Sequence, residues 1–172
     1  MDTMRKLLIA LLFACTVAIA HATPFFTSLL PGAQQVGQGV FKRFGWSIYE
    51  ATLYAPGGRF DPNKPYALSL TYERTIAGDR LVQASLDEMR KLGAPIDERP
   101  DWGPALSKVL PSVSKGVTLT GVYRPGEGAT FYQQDREIGK VDDALARMFF
   151  AIWLDPRTSD PGLRQALLGV TQ

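Results

Sequence analysis

Apolar and polar side chains alternate most cleanly between Tyr66 and Ile76. Tyr66, Leu68, Leu70, Tyr72 and Ile76 share one face, and Ala67, Ser69, Thr71, Glu73 and Thr75 share the other. A period of two over this length predicts a half-buried strand. Upstream, Val36 to Tyr54 is rich in Val, Ile, Phe, Trp and Tyr and predicts extended structure, with Gly45 as a bulge. Ala55-Pro56-Gly57-Gly58 then turns the chain, and Asp61-Pro62-Asn63-Lys64-Pro65 prolongs the loop.

The spacing changes after Ile76. Val82, Leu86 and Met89 fall at i, i+4 and i+7, which predicts a helix that Asp79 caps and Gly93 stops ahead of Pro95. Trp102, Leu106 and Val109 repeat that spacing up to Pro111. Val117 to Tyr123 and Ala129 to Gln134 read as two strands joined by a turn through Gly126 and Gly128. Asp142 or Asp143 caps a further helix with Leu145, Met148, Phe149 and Ile152 on one face. Phe149 to Leu154 is apolar all round, so this helix is expected between layers. Asp160-Pro161 opens a last short helix that ends at Gly169. Strands followed by helices, twice over, predict an α+β domain.

The amino-terminal 22 residues carry a different signal. Arg5 and Lys6 precede an apolar run from Leu7 to Ala20, and Ala20-His21-Ala22 has the small-x-small pattern of a signal-peptidase site. The expectation is a cleaved signal peptide over 1–22, cut between Ala22 and Thr23, and one domain over 23–172 in the periplasm or outside the cell. An uncleaved anchor and a lipoprotein through Cys15 are the alternatives. The run falls short of the roughly 20 residues a spanning helix needs, and bulky Phe13 fits the lipoprotein pattern poorly.

Cleavage would alter the available chemistry, because Cys15 and His21 are the sole cysteine and histidine. The remaining chain has no thiol or imidazole, which excludes Ser-His-Asp and Cys-His catalysis, His or Cys zinc sites and disulfides. No cofactor or metal is required by the residues that remain. Removing Asp2, Arg5 and Lys6 from 19 basic and 17 acidic residues leaves a net charge of +1, with no basic run. Nucleic-acid binding draws on a concentrated basic face, so no nucleic-acid partner is expected.

Three short motifs have local explanations. Gly37-x-Gly39 lacks the third glycine and following helix of a dinucleotide site. Ser112-x-x-Lys115 is bracketed by Pro111 and Gly116 and so reads as a loop. Asp142-Asp143 suits a helix cap. Arg74 is the unusual residue, since it falls in phase with Tyr66, Leu68, Leu70 and Tyr72 on the apolar face. Either it reaches water along its own stem or sits in a structural ion pair, or it holds a carboxylate at one end of an apolar pocket, with Tyr72, Tyr49 and Tyr54 supplying hydroxyls.

Taken in order, several stretches resemble the chalcone isomerase-like family, in its bacterial exported branch. They are Gly37-x-Gly39, Phe44 to Tyr54, Leu70-Thr71-Tyr72-Glu73-Arg74, Phe149 to Pro156 and Leu163 to Gly169. The resemblance implies an open-faced β-sandwich, an antiparallel sheet carrying a layer of helices over an apolar cleft. It also implies either ring closure of a chalcone or, as in some plant relatives, fatty-acid binding without isomerase activity. The plant enzyme depends on an arginine, a threonine, a tyrosine and an asparagine. Ungapped alignment puts Gly37, Tyr49, Leu81 and Glu88 at those places, and a shifted register brings Lys42 or Arg43 near the arginine's.

None of the four matches, so the expected function is non-catalytic binding of an apolar small molecule such as a fatty acid, with no catalytic residue assigned. A structural protein of the cell envelope with an envelope partner is one alternative, and an intramolecular lyase (an isomerase) with altered residues is the other. Fold alone decides among none of them.

Overall fold

The computed structural model describes residues 25–170. Ala22, Thr23 and the expected signal segment lie outside them. Six strands form one antiparallel sheet in sequence order: β1 (Ala33–Arg43), β2 (Trp46–Pro56), β3 (Tyr66–Tyr72), β4 (Thr118–Arg124), β5 (Gly128–Gln133) and β6 (Arg136–Val141). Helices α1 (Gly78–Lys91) and α2 (Trp102–Val109) fill the connection from β3 to β4. Helices α3 (Asp143–Leu154) and α4 (Pro161–Leu167) follow β6. All four lie on one face, with α4 against β1, α2 against β6, and α1 and α3 in contact between them. The expected α+β sandwich with an open sheet is thus the observed one. Among the described residues no helix is long and apolar enough to cross a membrane.

The core sits between sheet and helices. Ala51, Leu53, Tyr66, Leu68, Leu70 and Tyr72 face Met89, Leu106, Leu145, Phe149 and Phe150. Burial at this scale, at ~25 cal/mol per Å² of apolar surface, is the main force holding the two layers together. On the opposite face Leu30, Ala67, Val122 and Tyr132 form a small second cluster that Tyr54 packs against.

Helix boundaries follow the local chemistry. Asp142 accepts a hydrogen bond from Leu145 N at 2.9 Å and Asp160 accepts one from Leu163 N at 2.9 Å, so both cap their helices. Gly93 ends α1 with φ +89°, as its left-handed role after a helix requires. Asp79 does not cap α1: Ala77 holds that position, and Asp79 lies in the first turn.

Three expectations change. Val36 to Tyr54 is two strands, because Phe44 and Gly45 (φ +51° and +78°) close a two-residue hairpin turn between β1 and β2. The strand from Tyr66 ends at Tyr72, beyond which only Ile76 bridges to Val113. A sixth strand, β6, was not read from the sequence.

The glycines of Gly37-x-Gly39 have a packing reason. A Cβ on Gly37 would sit 2.1 Å from the carbonyl oxygen of Ala166, and one on Gly39 would sit 2.8 Å from Leu163 Cδ1. Bare backbone here lets α4 lie directly on β1.

Candidate functional site

The helix layer does not close evenly on the sheet. Toward the β1–β2 hairpin, a cavity of about 580 Å³ opens between β1–β3, α1, α3 and the 155–160 loop before α4. That is within the range of small-molecule sites, roughly 300–1,000 Å³. Phe41, Tyr49, Leu70 and Tyr72 line it from the sheet, Leu81 and Ser85 from α1, and Phe149, Ile152 and Trp153 from α3. Among the described residues no side chain fills this space.

Its aromatic wall is built by register. Tyr49 is opposite Tyr72 across β2–β3 and opposite Phe41 across β1–β2. The Phe41 and Tyr49 rings stack at 5.0 Å, and Tyr72 meets Tyr49 edge-on at 5.7 Å. A register shift between Phe41 and Lys42 breaks the alternation, so Lys42 and Arg43 line the cavity as well as Phe41, and Ile48 as well as Tyr49.

Two tyrosine hydroxyls belong to the sheet side of the cavity. Trp153 Nε1 donates to Tyr49 Oη at 2.9 Å, which leaves the Tyr49 proton free to point into the cavity. Tyr72 is 3% exposed, and among the described residues its hydroxyl makes no hydrogen bond. Burial pushes both hydroxyls well above the usual tyrosine range, although the Trp153 bond partly offsets this at Tyr49. Both are neutral donors at physiological pH and neither is a base.

The rim is charged. Lys42, Arg43, Arg80 and Lys91 stand around the opening with Glu88 and Asp160. Lys91 Nζ is 2.6 Å from one Glu88 oxygen, and Ser159 Oγ donates to the other at 2.5 Å, tying α1 to the loop before α4. Burial alone would raise the Glu88 carboxyl, but those hydrogen bonds and the Lys91 and Arg43 charges outweigh it and hold Glu88 below the ordinary value. Among the described residues no three His, Cys, Asp or Glu side chains gather as metal ligands.

Of the four residues singled out from sequence, Tyr49 and Tyr72 meet in the cavity. Tyr54 does not join them: it alternates onto the opposite face of β2 and packs on the small second cluster. Arg74 also lies elsewhere. The strand ends two residues before it, so its phase with Tyr72 is lost, and its exposed guanidinium lies 4.4 Å above the Trp46 ring. Of the positions aligned with the plant enzyme's residues, Tyr49, Leu81 and Glu88 line the cavity, whereas Gly37 lies under α4. The rim cations Arg80 and Lys91 were missed. Phe149 and Trp153, legible from sequence as possible walls of a pocket, do line it, whereas Phe150 does not. The Trp153 bond to Tyr49 had no signal. A signal existed for the helix side, since Leu81, Ser85 and Glu88 form a second i, i+4, i+7 stripe beside Val82, Leu86 and Met89.

Comparison with known proteins supports this architecture. A sequence profile described as chalcone isomerase-like matches residues 34–169. Among solved structures, a fatty-acid binding protein of Arabidopsis thaliana superposes with a TM-score of 0.63 at 12% identity. The match covers 81% of this chain and 88% of that one, and it is a likeness of fold. No curated protein matches the chain. A sheet of six antiparallel strands under one layer of helices, matched by that profile over most of its length, places the chain in the chalcone isomerase-like family.

Proposed function

We propose that this is an exported, non-catalytic binding protein of the family's bacterial branch, and that its cavity takes an apolar small molecule with an acidic head, such as a fatty acid. The observation that carries the reading is an apolar cavity lined by two neutral tyrosine hydroxyls, with four cations at its rim. Apolar walls accept the chain, and hydroxyls and rim cations accept the carboxyl group. A neighbour of this fold whose description is fatty-acid binding supports the same class.

Acid–base chemistry has little to draw on. Burial raises both tyrosine hydroxyls further above the pH at which they could exchange a proton, and Glu88 is already engaged by Lys91 and Ser159. The test is native mass spectrometry on protein recovered from its own compartment, repeated after delipidation and incubation with C14–C18 fatty acids. The expected result is a one-to-one adduct that Ser85→Phe, which puts a ring into the cavity, abolishes while the fold is retained. A bare mass under all conditions would overturn the reading. Turnover of a chalcone, lost in Arg43→Ala, would replace it with the isomerase alternative. The same sample tests export, because the expected first residue is Thr23.

A further inference from the structure

The β1–β2 hairpin breaks two local rules at one place. Its turn needs a left-handed conformation at Phe44 (φ +51°), where Asn or Gly is the favourable residue and a bulky aromatic is disfavoured. That aromatic is also 88% exposed, and Trp46, one residue beyond the turn, is 63% exposed. Of the four large apolar side chains exposed among the described residues, three (Val40, Phe44 and Trp46) lie on this hairpin. Neither backbone preference nor burial in the folded chain explains Phe44, and such outliers point toward function.

The charged groups that face the two exposed rings are cationic. Arg43 lies 5.5 Å from the Phe44 ring and Arg74 lies 4.4 Å from the Trp46 ring. Lys42 precedes them on β1, and Arg80 stands at the same cavity mouth. Among the described residues none of these four forms a salt bridge, and Arg43 reaches Glu88 only through longer-range attraction. The nearby acids Glu88 and Glu73 are taken up by Lys91 and Lys115, and Asp160 caps α4.

We propose that the hairpin tip docks on an anionic phospholipid surface, with the Phe44 and Trp46 rings entering the headgroup boundary and Lys42, Arg43 and Arg74 meeting lipid phosphates. Exposed aromatic rings ringed by cations are complementary to an interface that is apolar below and negative above. Because Lys42 and Arg43 also line the cavity, docking brings the cavity mouth to the bilayer. The proposal stands on the hairpin alone and holds whatever the cavity binds.

The chain has three tryptophans, and Trp102 and Trp153 are buried, so Trp46 reports on the tip. The test mixes purified protein with vesicles of phosphatidylcholine alone, or of equal parts phosphatidylcholine and phosphatidylglycerol. Cosedimentation and a blue-shifted, quencher-protected Trp46 emission are expected with the second vesicle only, and weakening as salt rises. Phe44→Asn should lower the vesicle partition coefficient about tenfold yet raise Tm by about 3 °C, because Asn suits the left-handed turn. Arg74→Gln should lower partition about fivefold. A merely structural Phe44 would not give opposite signs for binding and stability. No partition into the anionic vesicles overturns the proposal, as does partition unchanged in a folded Phe44→Asn/Trp46→Thr variant. Self-association lost in that double variant, without vesicle binding, would also overturn it and make the tip a contact between copies.

Discussion

The two ends of the space between sheet and helices are built from the same parts and finish differently. At the closed end Tyr66 and Tyr123 face α3, and Phe150 packs on both at 5.3 and 5.8 Å. Gly121 makes this possible, since a Cβ there would lie 2.7 Å from Phe150 Cζ. Tyr123 donates to Asp143 Oδ1 at 2.9 Å, and Asp143 also accepts from Gly126 N and Arg147 Nε. At the open end Tyr49 and Tyr72 take the equivalent places on the sheet, but no ring descends between them from α1, which offers Leu81 and Ser85. Among the described residues the Tyr72 hydroxyl is left without a hydrogen-bond partner. One end spends its aromatics on packing and the other keeps polar atoms at the wall of an apolar cavity, and this asymmetry is what leaves the sandwich open at one end.

The largest expected effect comes from opening the closed end. Phe150→Ala removes a side chain that is 1% exposed and leaves a cavity, at a cost of about 3–5 kcal/mol in denaturant unfolding. The open end should be spared, so the folded fraction still binds ligand. A loss under about 1 kcal/mol would mean that the closed end relaxes as readily as the open one.

Gly37→Ala should come next and act on the opposite end. The new Cβ meets backbone atoms of α4, which cannot rotate away, so α4 must lift from β1. The expected cost is about 1–3 kcal/mol. Because α4 and its cap contribute Leu163 and Asp160 to the cavity, ligand affinity should fall with stability. Unchanged binding with the same stability loss would show that α4 plays no part in shaping the cavity.

These two substitutions also mark what the sequence made legible. Strand and helix periods made an α+β domain legible, with caps at Asp142 or Asp143 and at Asp160, because local chemistry dictates them. The sandwich itself was legible only through the family resemblance. The approach of α4 to Gly37 is a contact between residues about 130 apart in the chain, and no spacing rule reports it. The Phe44 turn was hidden because Phe is not a turn residue. It left one long apolar run where there are two strands, with Gly45 in the turn rather than a bulge. The sixth strand was hidden because Glu137, Gly139 and Lys140 lack an apolar alternation on an edge that is half exposed. Arg74 was misplaced because periodicity carries no information on where a strand stops.

The same conservative change at the two ends should give opposite results. Tyr123→Phe breaks the bond to Asp143 and is expected to cost about 1 kcal/mol in stability, with no effect on ligand binding. Tyr72→Phe removes a hydroxyl that has no hydrogen-bond partner among the described residues, so stability should hold or rise slightly. Affinity for a fatty acid should then drop about three- to tenfold, the range for one hydrogen bond. Equal behaviour in calorimetry, whether both lose stability or neither loses affinity, would abolish the distinction between the ends.

The smallest expected effect concerns Glu88, which ties the rim of the open end together through Lys91 and Ser159. Its carboxyl is held below the ordinary value of 4.5 in the folded chain, because those hydrogen bonds overcome the opposing effect of burial. A depressed folded value means that the ionised form is favoured by folding. The stabilisation is therefore complete above the unfolded value of about 4.5 and is lost as pH falls through the lower folded value. Glu88→Gln should lower Tm slightly between pH 6 and 8, and the gap to the parent should close as pH drops below about 4. Because the rim is largely solvated, the gap should also shrink as salt rises. A gap that widens on acidification would mean that the folded chain favours the neutral carboxyl. The tie between α1 and the loop before α4 would then not be the ionic one that keeps the mouth of the cavity in shape.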